Sequence, residues 1–325
     1  MSDTLYIVVP CYNEEEVLHI TAKRLEEKMA ALCAECKISD KGRVVFVDDG
    51  SRDRTWSIIE QLCIQHELFA GVKLSHNRGH QNALLAGLMT VKDEADMVIS
   101  IDADLQDDTD AIDRMVDEYL DGCDVVYGVR GNRDSDSFFK RFTAEGYYKL
   151  LRSLGCDIMF NHADYRLMSS RALAALAEYG EQRLFLRGIV PMLGYKTSAV
   201  KYVRSAREAG ESKYPLKRML TLAIDGITSL SLRPLRIVTM MGIIMLVVAA
   251  ALFIFSLVRL ISGRSILDWK IITFSIWAVG GIVTLSLGIV GEYVGRTYLE
   301  TKRRPRYNVE KTTGLCSSAK SKVES

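Results

Sequence analysis

The chain has 325 residues, 48% of them apolar, which is enough to bury a full core in one large domain and to build something further. Lys and Arg number 42 against 41 Asp and Glu, so no global charge points to nucleic acid as a partner. Acidic residues nonetheless crowd the first half, and basic ones surround two long apolar runs near the end.

Leu5 to Val9 reads as an apolar strand ending in Pro10-Cys11-Tyr12-Asn13-Glu14-Glu15-Glu16. Residues 1–5 lack the basic-then-apolar pattern of a cleavable signal, and none is expected. Val17, Leu18, Leu25, Met29 and Leu32 recur at helical spacing, which places the glutamates in a first helical turn favoured by the dipole. Taken alone, Glu14 is as well explained by helix capping as by ligand binding. The seven cysteines are odd in number and scattered, which suits a reducing compartment rather than a disulfide framework. Cys33 and Cys36 make a lone Cys-x-x-Cys with no second pair or spaced histidines, so zinc is not expected.

Val44 to Val47 is a second strand, and Asp48-Asp49-Gly50-Ser51 follows it. Gly50 and Ser51 suit a tight turn, and Asp49 is placed to accept hydrogen bonds from a base or ribose. Val72 to Leu74 is a weaker third strand; Asn77-Arg78-Gly79-His80-Gln81 then leads into an apolar helix from Ala83 to Val91. Met97 to Ile101 is a fourth apolar run, stopped abruptly by Asp102-Ala103-Asp104-Leu105-Gln106-Asp107-Asp108.

In an open α/β sheet, chemistry gathers at the carboxyl ends of the strands. Two carboxylates one residue apart repel unless a cation lies between them or one is protonated. A hard divalent ion, Mg²⁺ or Mn²⁺, relieves that repulsion while bridging to substrate phosphates, and Gln106 offers a further oxygen ligand. The plain alternative for an isolated Asp-x-Asp is a solvated loop. Asp107, Asp108 and Thr109 are most simply the cap and first turn of the next helix. Asp124 to Val129 is a fifth strand with Arg130 and Arg133 at its end, so strand and helix alternate about five times, predicting a mostly parallel sheet with helices on both faces.

Ser135 to Gly155 mixes aromatic and basic residues and is expected to form a helix near the site or a membrane surface. Asn161 to Met168 gathers polar residues before another helix; Asp164 there is either a site residue or a structural partner of Arg166. A polar, glycine-bearing loop from Arg204 to Tyr214 follows. From Leu216 a helical apolar stripe, with Lys217, Arg218 and Asp225 off it, predicts a helix lying in a bilayer interface up to Pro234. Ile237–Val258 and Ile271–Gly291 are uncharged for about 22 and about 21 residues, each long enough to span a hydrocarbon core. About ten Lys and Arg flank the outer ends of this hairpin, against Arg259, Arg264 and Lys270 in its loop, which predicts a cytoplasmic domain and tail at the inner membrane. The polar end from about Thr312 is expected to be disordered. The expected parts are a catalytic domain 1–213, an interfacial helix 214–234, a membrane hairpin 235–295 and a basic tail 296–325.

In this order, the Pro10–Glu15 stretch, Val47-Asp48-Asp49-Gly50-Ser51, Gly79-His80-Gln81, Asp102–Gln106, Asp164–Met168 and Gly210-Glu211-Ser212-Lys213-Tyr214 resemble glycosyltransferase family 2. More narrowly they are similar to the polyprenyl-phosphate glycosyltransferases, over nearly the whole chain up to about Asn308. The resemblance implies a GT-A nucleotide-sugar-binding domain. In such enzymes the residues matching Pro10, Tyr12, Glu14, Val47 and Asp49 hold the nucleotide, and those matching Asp102, Ala103, Asp104 and Gln106 surround the Mg²⁺ or Mn²⁺ and diphosphate. Arg130 matches a donor-phosphate contact; Arg204 and Lys213 match acceptor-phosphate contacts. Asn77-Arg78-Gly79 departs from the aromatic-glycine form of a close bactoprenol enzyme. The implied reaction is inverting transfer of a hexose, foremost glucose from UDP-glucose, to polyprenyl phosphate, with Asp164 orienting the acceptor and Asp104 at the catalytic metal. UDP-galactose, UDP-N-acetylglucosamine and GDP-mannose are alternative donors. The expected partners are the nucleotide sugar, the lipid phosphate, the bilayer and a second copy of the chain in a homo-oligomer. A processive polysaccharide synthase is disfavoured because the only tryptophans are Trp56, Trp269 and Trp277, so no Gln-x-x-Arg-Trp motif exists. A non-catalytic binding protein would be expected to have lost the acids that are present here.

Overall fold

The computed structural model describes residues 2–104, 106–131, 162–181, 186–203, 240, 244, 261 and 269–315. In chain order the elements are β1 (Leu5–Cys11), α1 (Leu18–Ala34), β2 (Arg43–Asp48), α2 (Thr55–Gln65), β3 (Phe69–Leu74), α3 (His80–Val91), β4 (Met97–Ser100), α4 (Ala111–Leu120) and β5 (Val125–Arg130). They continue with β6 (His162–Ser169), α5 (Ser170–Ala177), α6 (Leu186–Met192), β7 (Thr197–Tyr202), α7 (Trp269–Thr301) and β8 (Val309–Thr313). The expected helices at 135–155 and 216–234, and the polar loop bearing Arg204 and Lys213, lie outside the described residues.

One eight-stranded sheet runs in the order β7-β5-β6-β4-β1-β2-β3-β8. Its central strands are apolar at nearly every position because both faces are covered. Successive side chains alternate faces: Leu5, Ile7 and Val9 of β1 pack with α1, α2 and α4, whereas Tyr6 and Val8 pack with α3, α5 and α6. α3 lies so close that a Cβ on Gly87 would stand 2.4 Å from Val8 Cγ1. This is the GT-A α/β architecture that the sequence motifs predict.

β1 pairs in parallel with β2 on one side and β4 on the other, so the crossovers change direction beside β1. Such a switch point opens a crevice at the strands' carboxyl ends. Tyr12–Glu16 and Asp102–Asp104 both leave strands there.

The structure differs from the sequence expectation in four places. The sheet is mixed, because β6 runs antiparallel between β4 and β5 where a polar connection was expected. Asp164 and Arg166 hide that strand in the sequence, since they are buried polar residues in what would otherwise be an apolar run. α1 begins at Leu18, so Glu14–Glu16 form a turn before it rather than its first turn.

The end of the chain is not a disordered tail up to residue 315: β8 pairs antiparallel with β3, with Lys73–Glu310 at 2.9 Å and Lys311–Glu60 at 2.5 Å along it. Gly314, at φ +71, lets the chain pass Phe69, whose carbonyl oxygen would lie 2.5 Å from an added Cβ. The sheet, with Pro305–Ser325, belongs to one compact unit, and Lys217–Arg304 to a second. In that second unit the expected span Ile237–Val258 is outside the described residues apart from Met240 and Ile244. The span Ile271–Gly291 falls within α7, a helix of 33 residues. Among the described residues no helix is long and apolar enough to cross a membrane.

Candidate active site

The turns after β1 and β2 are stitched together. Asn13, at φ 54, donates its N–H to Ser51 Oγ at 3.0 Å and accepts the Arg52 N–H at 2.9 Å. Glu14 N–H reaches Thr55 Oγ1 at 2.9 Å, and Glu15 N–H reaches Asp53 Oδ2 at 3.2 Å. This leaves Tyr12 presented at the surface, 38% exposed, above buried Pro10 and Val47, which are partners in the β1–β2 register. Gly50, at φ +66, allows the β2 turn to approach the next loop; an added Cβ would be 2.7 Å from Asn77 N.

Asp49 is buried, and its two oxygens accept the Arg78 and Gly79 amides at 2.7 and 2.9 Å. Burial pushes its carboxyl pKa up, and those two amides pull against it. It thereby shapes the 77–79 loop, with one acceptor position used on each oxygen. Gly79, at φ +87, then turns the chain into α3 and presents His80.

Past β4, Ser100 pairs with Arg166 of β6, and continuing that antiparallel register by two residues sets Asp164 opposite Asp102. The Ser100 hydroxyl donates to the Asp164 carbonyl and fixes the two strands there. Asp164 is buried between cations. Its Oδ1 accepts Arg166 Nη2 at 2.6 Å and Arg187 Nε at 3.3 Å, while Oδ2 meets Arg187 Nη2 at 3.1 Å and His80 Nε2 at 3.5 Å. Burial alone would raise this carboxyl's pKa, but the Arg187 charge, the His80 hydrogen bond and the Arg166 charge hold it well below the usual range. His80 also lies 3.6 Å from Asp102 Oδ1. Burial lowers the imidazolium's pKa, yet Asp164 and Asp102 overcome this and push it up to about 9. Asp102 and Asp164 thus share the charges of two guanidiniums and an imidazolium.

The Asp102–Gln106 loop has the chemistry of a divalent cation site. Asp102 is raised by burial, opposed by His80, and raised further by the charges of Asp164 and Asp104. Asp104 Oδ1 accepts the Gln106 N–H at 3.2 Å, curling the loop, and Thr21 of α1 donates to the Ala103 carbonyl at 2.8 Å from beneath. Gln106 Oε1 is buried with no hydrogen-bond partner, an acceptor that a bound cation or donor would satisfy. Among the described residues no three His, Cys, Asp or Glu side chains form a complete metal cage. The donors that Asp102, Asp104 and Gln106 offer are all oxygens, a set that would suit a hard divalent ion such as Mg²⁺ or Mn²⁺.

The structure thus brings Tyr12, Glu14, Asp49, Asp102, Ala103, Asp104, Gln106 and Asp164 to one end of the sheet. Arg130 closes β5, and Arg204 and Lys213 lie outside the described residues. Sequence reasoning missed Thr21, Arg187 and the placement of His80. The available signal for Arg187 was one cation in the otherwise apolar run Leu186–Met192.

The family model for glycosyl transferase family 2 matches residues 6–176. The uncharacterized glycosyltransferase YkoT of Bacillus subtilis (strain 168) is 47% identical, over 94% of this chain and 91% of its own. The prophage bactoprenol glucosyl transferase homolog of Escherichia coli (strain K12) is 38% identical, over 94% of this chain and 98% of its own. Among solved structures, the glucosyl-3-phosphoglycerate synthase of Mycobacterium tuberculosis with Mn²⁺, UDP-glucose and phosphoglyceric acid is similar over 70% of this chain and 78% of its own, at 17% identity and TM-score 0.42. With the family model spanning just over half of its length and full-length relatives well above 30% identity, the chain belongs to glycosyl transferase family 2.

Proposed function

We propose that this glycosyltransferase moves glucose from UDP-glucose to a polyprenyl phosphate, with inversion, giving a lipid-phosphate sugar for cell-envelope glycan modification. Relatives named bactoprenol glucosyl transferase, 36–38% identical over 94% of the chain, support this acceptor and this sugar.

The observation that carries the reading is the clamp on Asp164. A sugar hydroxyl acceptor needs a base to take its proton. Asp164, the acid opposite Asp102, has both oxygens engaged by two arginines and a histidine, so it is a poor proton acceptor. A phosphate monoester needs none, because its second pKa is about 6 and it is largely dianionic at neutral pH. In the reaction one acceptor phosphate oxygen forms the bond to the anomeric carbon as the bond from that carbon to the diphosphate breaks. The bonding pair leaves on the terminal phosphate oxygen of UDP, and an α-linked donor yields a β-linked product.

Asp102, Asp104 and Gln106 would hold the divalent ion, which supplies charge stabilisation for the departing diphosphate. Tyr12 and the Glu14 turn border the nucleotide, and Asp49 fixes the loop that presents His80. Arg130 is assigned to the donor phosphates, and Arg204 and Lys213 to the acceptor phosphate. His80 and Arg187 keep Asp164 oriented beside the sugar.

The acceptor's chain requires a bilayer. The interfacial helix from Leu216 and the hairpin of Ile237–Val258 and Ile271–Gly291 are proposed to anchor the enzyme at the inner membrane, with the catalytic domain in the cytoplasm. Exposed Ile272, Ile276, Val283 and Leu287 along α7 support a lipid-facing surface. The functional test offers membranes containing the chain a panel of radiolabelled UDP-glucose, UDP-galactose, UDP-N-acetylglucosamine and GDP-mannose with undecaprenyl phosphate. Label from UDP-glucose is expected in the lipid extract; label from another donor, or none, refutes the assignment.

A further inference from the structure

The loop that carries Asp102, Asp104 and Gln106 is clasped by three buried hydroxyls. Thr21 holds the Ala103 carbonyl, Tyr165 of β6 donates to the Asp108 carbonyl at 2.9 Å, and Tyr202 donates to Asp107 Oδ1 at 2.5 Å. Tyr202 has a second connection that the other two lack. It is the last residue of β7, its carbonyl accepts the Gly131 N–H at 2.8 Å beside Arg130, and its strand leads into the segment bearing Arg204 and Lys213. Its ring meets that of Tyr165 edge to face, with centroids 5.3 Å apart at 82°. A buried phenol needs a partner for its hydroxyl, but a carbonyl would satisfy that need. Here the partner is a carboxylate three residues from Asp104, in a charge-assisted bond about twice as strong as a neutral one.

We propose that Tyr202 is a positioning residue for the donor and metal site. Acting through Asp107, its hydroxyl holds the chain next to Gln106 in the place that receives the cation, and it ties that stretch to β7. The proposal deepens the functional reading above and rests on it for the identity of the loop. Tyr202 is buried and does its work without touching substrate.

The test uses the full chain in detergent and measures Mn²⁺-dependent UDP binding by titration calorimetry, with a thermal melt for each variant. Tyr202→Phe keeps the ring and its contact with Tyr165 and removes only the hydroxyl. Half-saturating Mn²⁺ is expected to rise about tenfold in Tyr202→Phe and in Asp107→Ala, the lower range for a hydrogen bond to a charged group. The double variant is expected to match the singles, because both remove one linkage. Asp107→Asn, which keeps an acceptor oxygen but loses the charge, should raise half-saturating Mn²⁺ about threefold, half the energy of the charge-assisted bond. Multiplying effects in the double variant, or a lower melting temperature with unchanged Mn²⁺ dependence, would overturn the proposal. If wild type binds UDP with Mn²⁺ yet transfers no sugar to polyprenyl phosphate, the acceptor reading fails while the role of Tyr202 stands. If wild-type UDP binding ignores Mn²⁺, both fail.

Discussion

Replacing Asp164 by Asn separates a holding role from a basic one. The carboxylate faces Arg166 at 2.6 Å, Arg187 at 3.1 Å and His80 at 3.5 Å, and Arg166 is only 2% exposed. Neutralising its partner leaves a guanidinium in the core; breaking a buried pair costs about 3–5 kcal/mol, and the amide oxygen's surviving hydrogen bonds keep the loss near the lower figure. In a domain of this size that is a fall of roughly 6–12 °C in melting temperature.

The pH dependence follows from the depressed carboxyl. Its contribution to stability is complete above the unfolded value of about 4 and is lost as pH falls through the lower native value. The gap between wild type and Asp164→Asn should therefore hold from neutral pH to about 5 and shrink in stronger acid. Scanning fluorimetry of the purified chain across pH measures the gap, with glucosyl transfer followed in parallel. Transfer should drop by about 10²-fold from misplacement of the site. The acid limb of the rate should stay at the acceptor's second pKa, about 6. Asp164→Asn combined with Arg166→Met should recover most of the stability, since a buried pair and an apolar replacement are often comparable. A single variant that melts like wild type yet loses more than about 10⁴-fold in turnover, with a displaced acid limb, would refute the reasoning and make Asp164 the proton acceptor.

Asp104→Asn is expected to abolish both glucosyl transfer and Mn²⁺-dependent UDP binding while leaving the melting temperature within a few degrees, as measured by calorimetry and fluorimetry. Chelation of wild type by EDTA should produce the same loss of UDP binding, reversed by Mn²⁺ or Mg²⁺; binding unaffected by the chelator would remove the metal from the account. Gly314→Val places a branched side chain at φ +71 against the Phe69 carbonyl. It should destabilise the sheet unit by more than about 1–2 kcal/mol and release β8, read as faster amide exchange in β3.

The first five strands were legible because each is an apolar run that ends in an acid or a turn residue, and the structure moves their ends by only a few residues. The acids after β1, β2 and β4 were expected at one end of the sheet for the same reason, and the structure gathers them there. β6 was not legible: its buried Asp164 and Arg166 neutralise each other in space, and a sequence shows the polarity without the pairing. β8 reads as polar because its edge position is decorated with Glu310 and Lys311, whose partners Lys73 and Glu60 lie far back in the chain. The hold of Asp49 on the 77–79 loop was not legible, because sequence reveals a carboxylate after a strand but not the two backbone amides it accepts. Thr21, Arg187 and Tyr202 reach the site from other elements, and only the folded sheet brings them there.

The most direct test of the central claim is the configuration of the product. Purified chain, UDP-glucose, Mn²⁺ and undecaprenyl phosphate should give a lipid whose anomeric proton and phosphorus couplings identify a β-glucosyl phosphate. An α-linked lipid, or UDP and free glucose with no glycolipid, would contradict direct attack by a lipid-borne phosphate at this site.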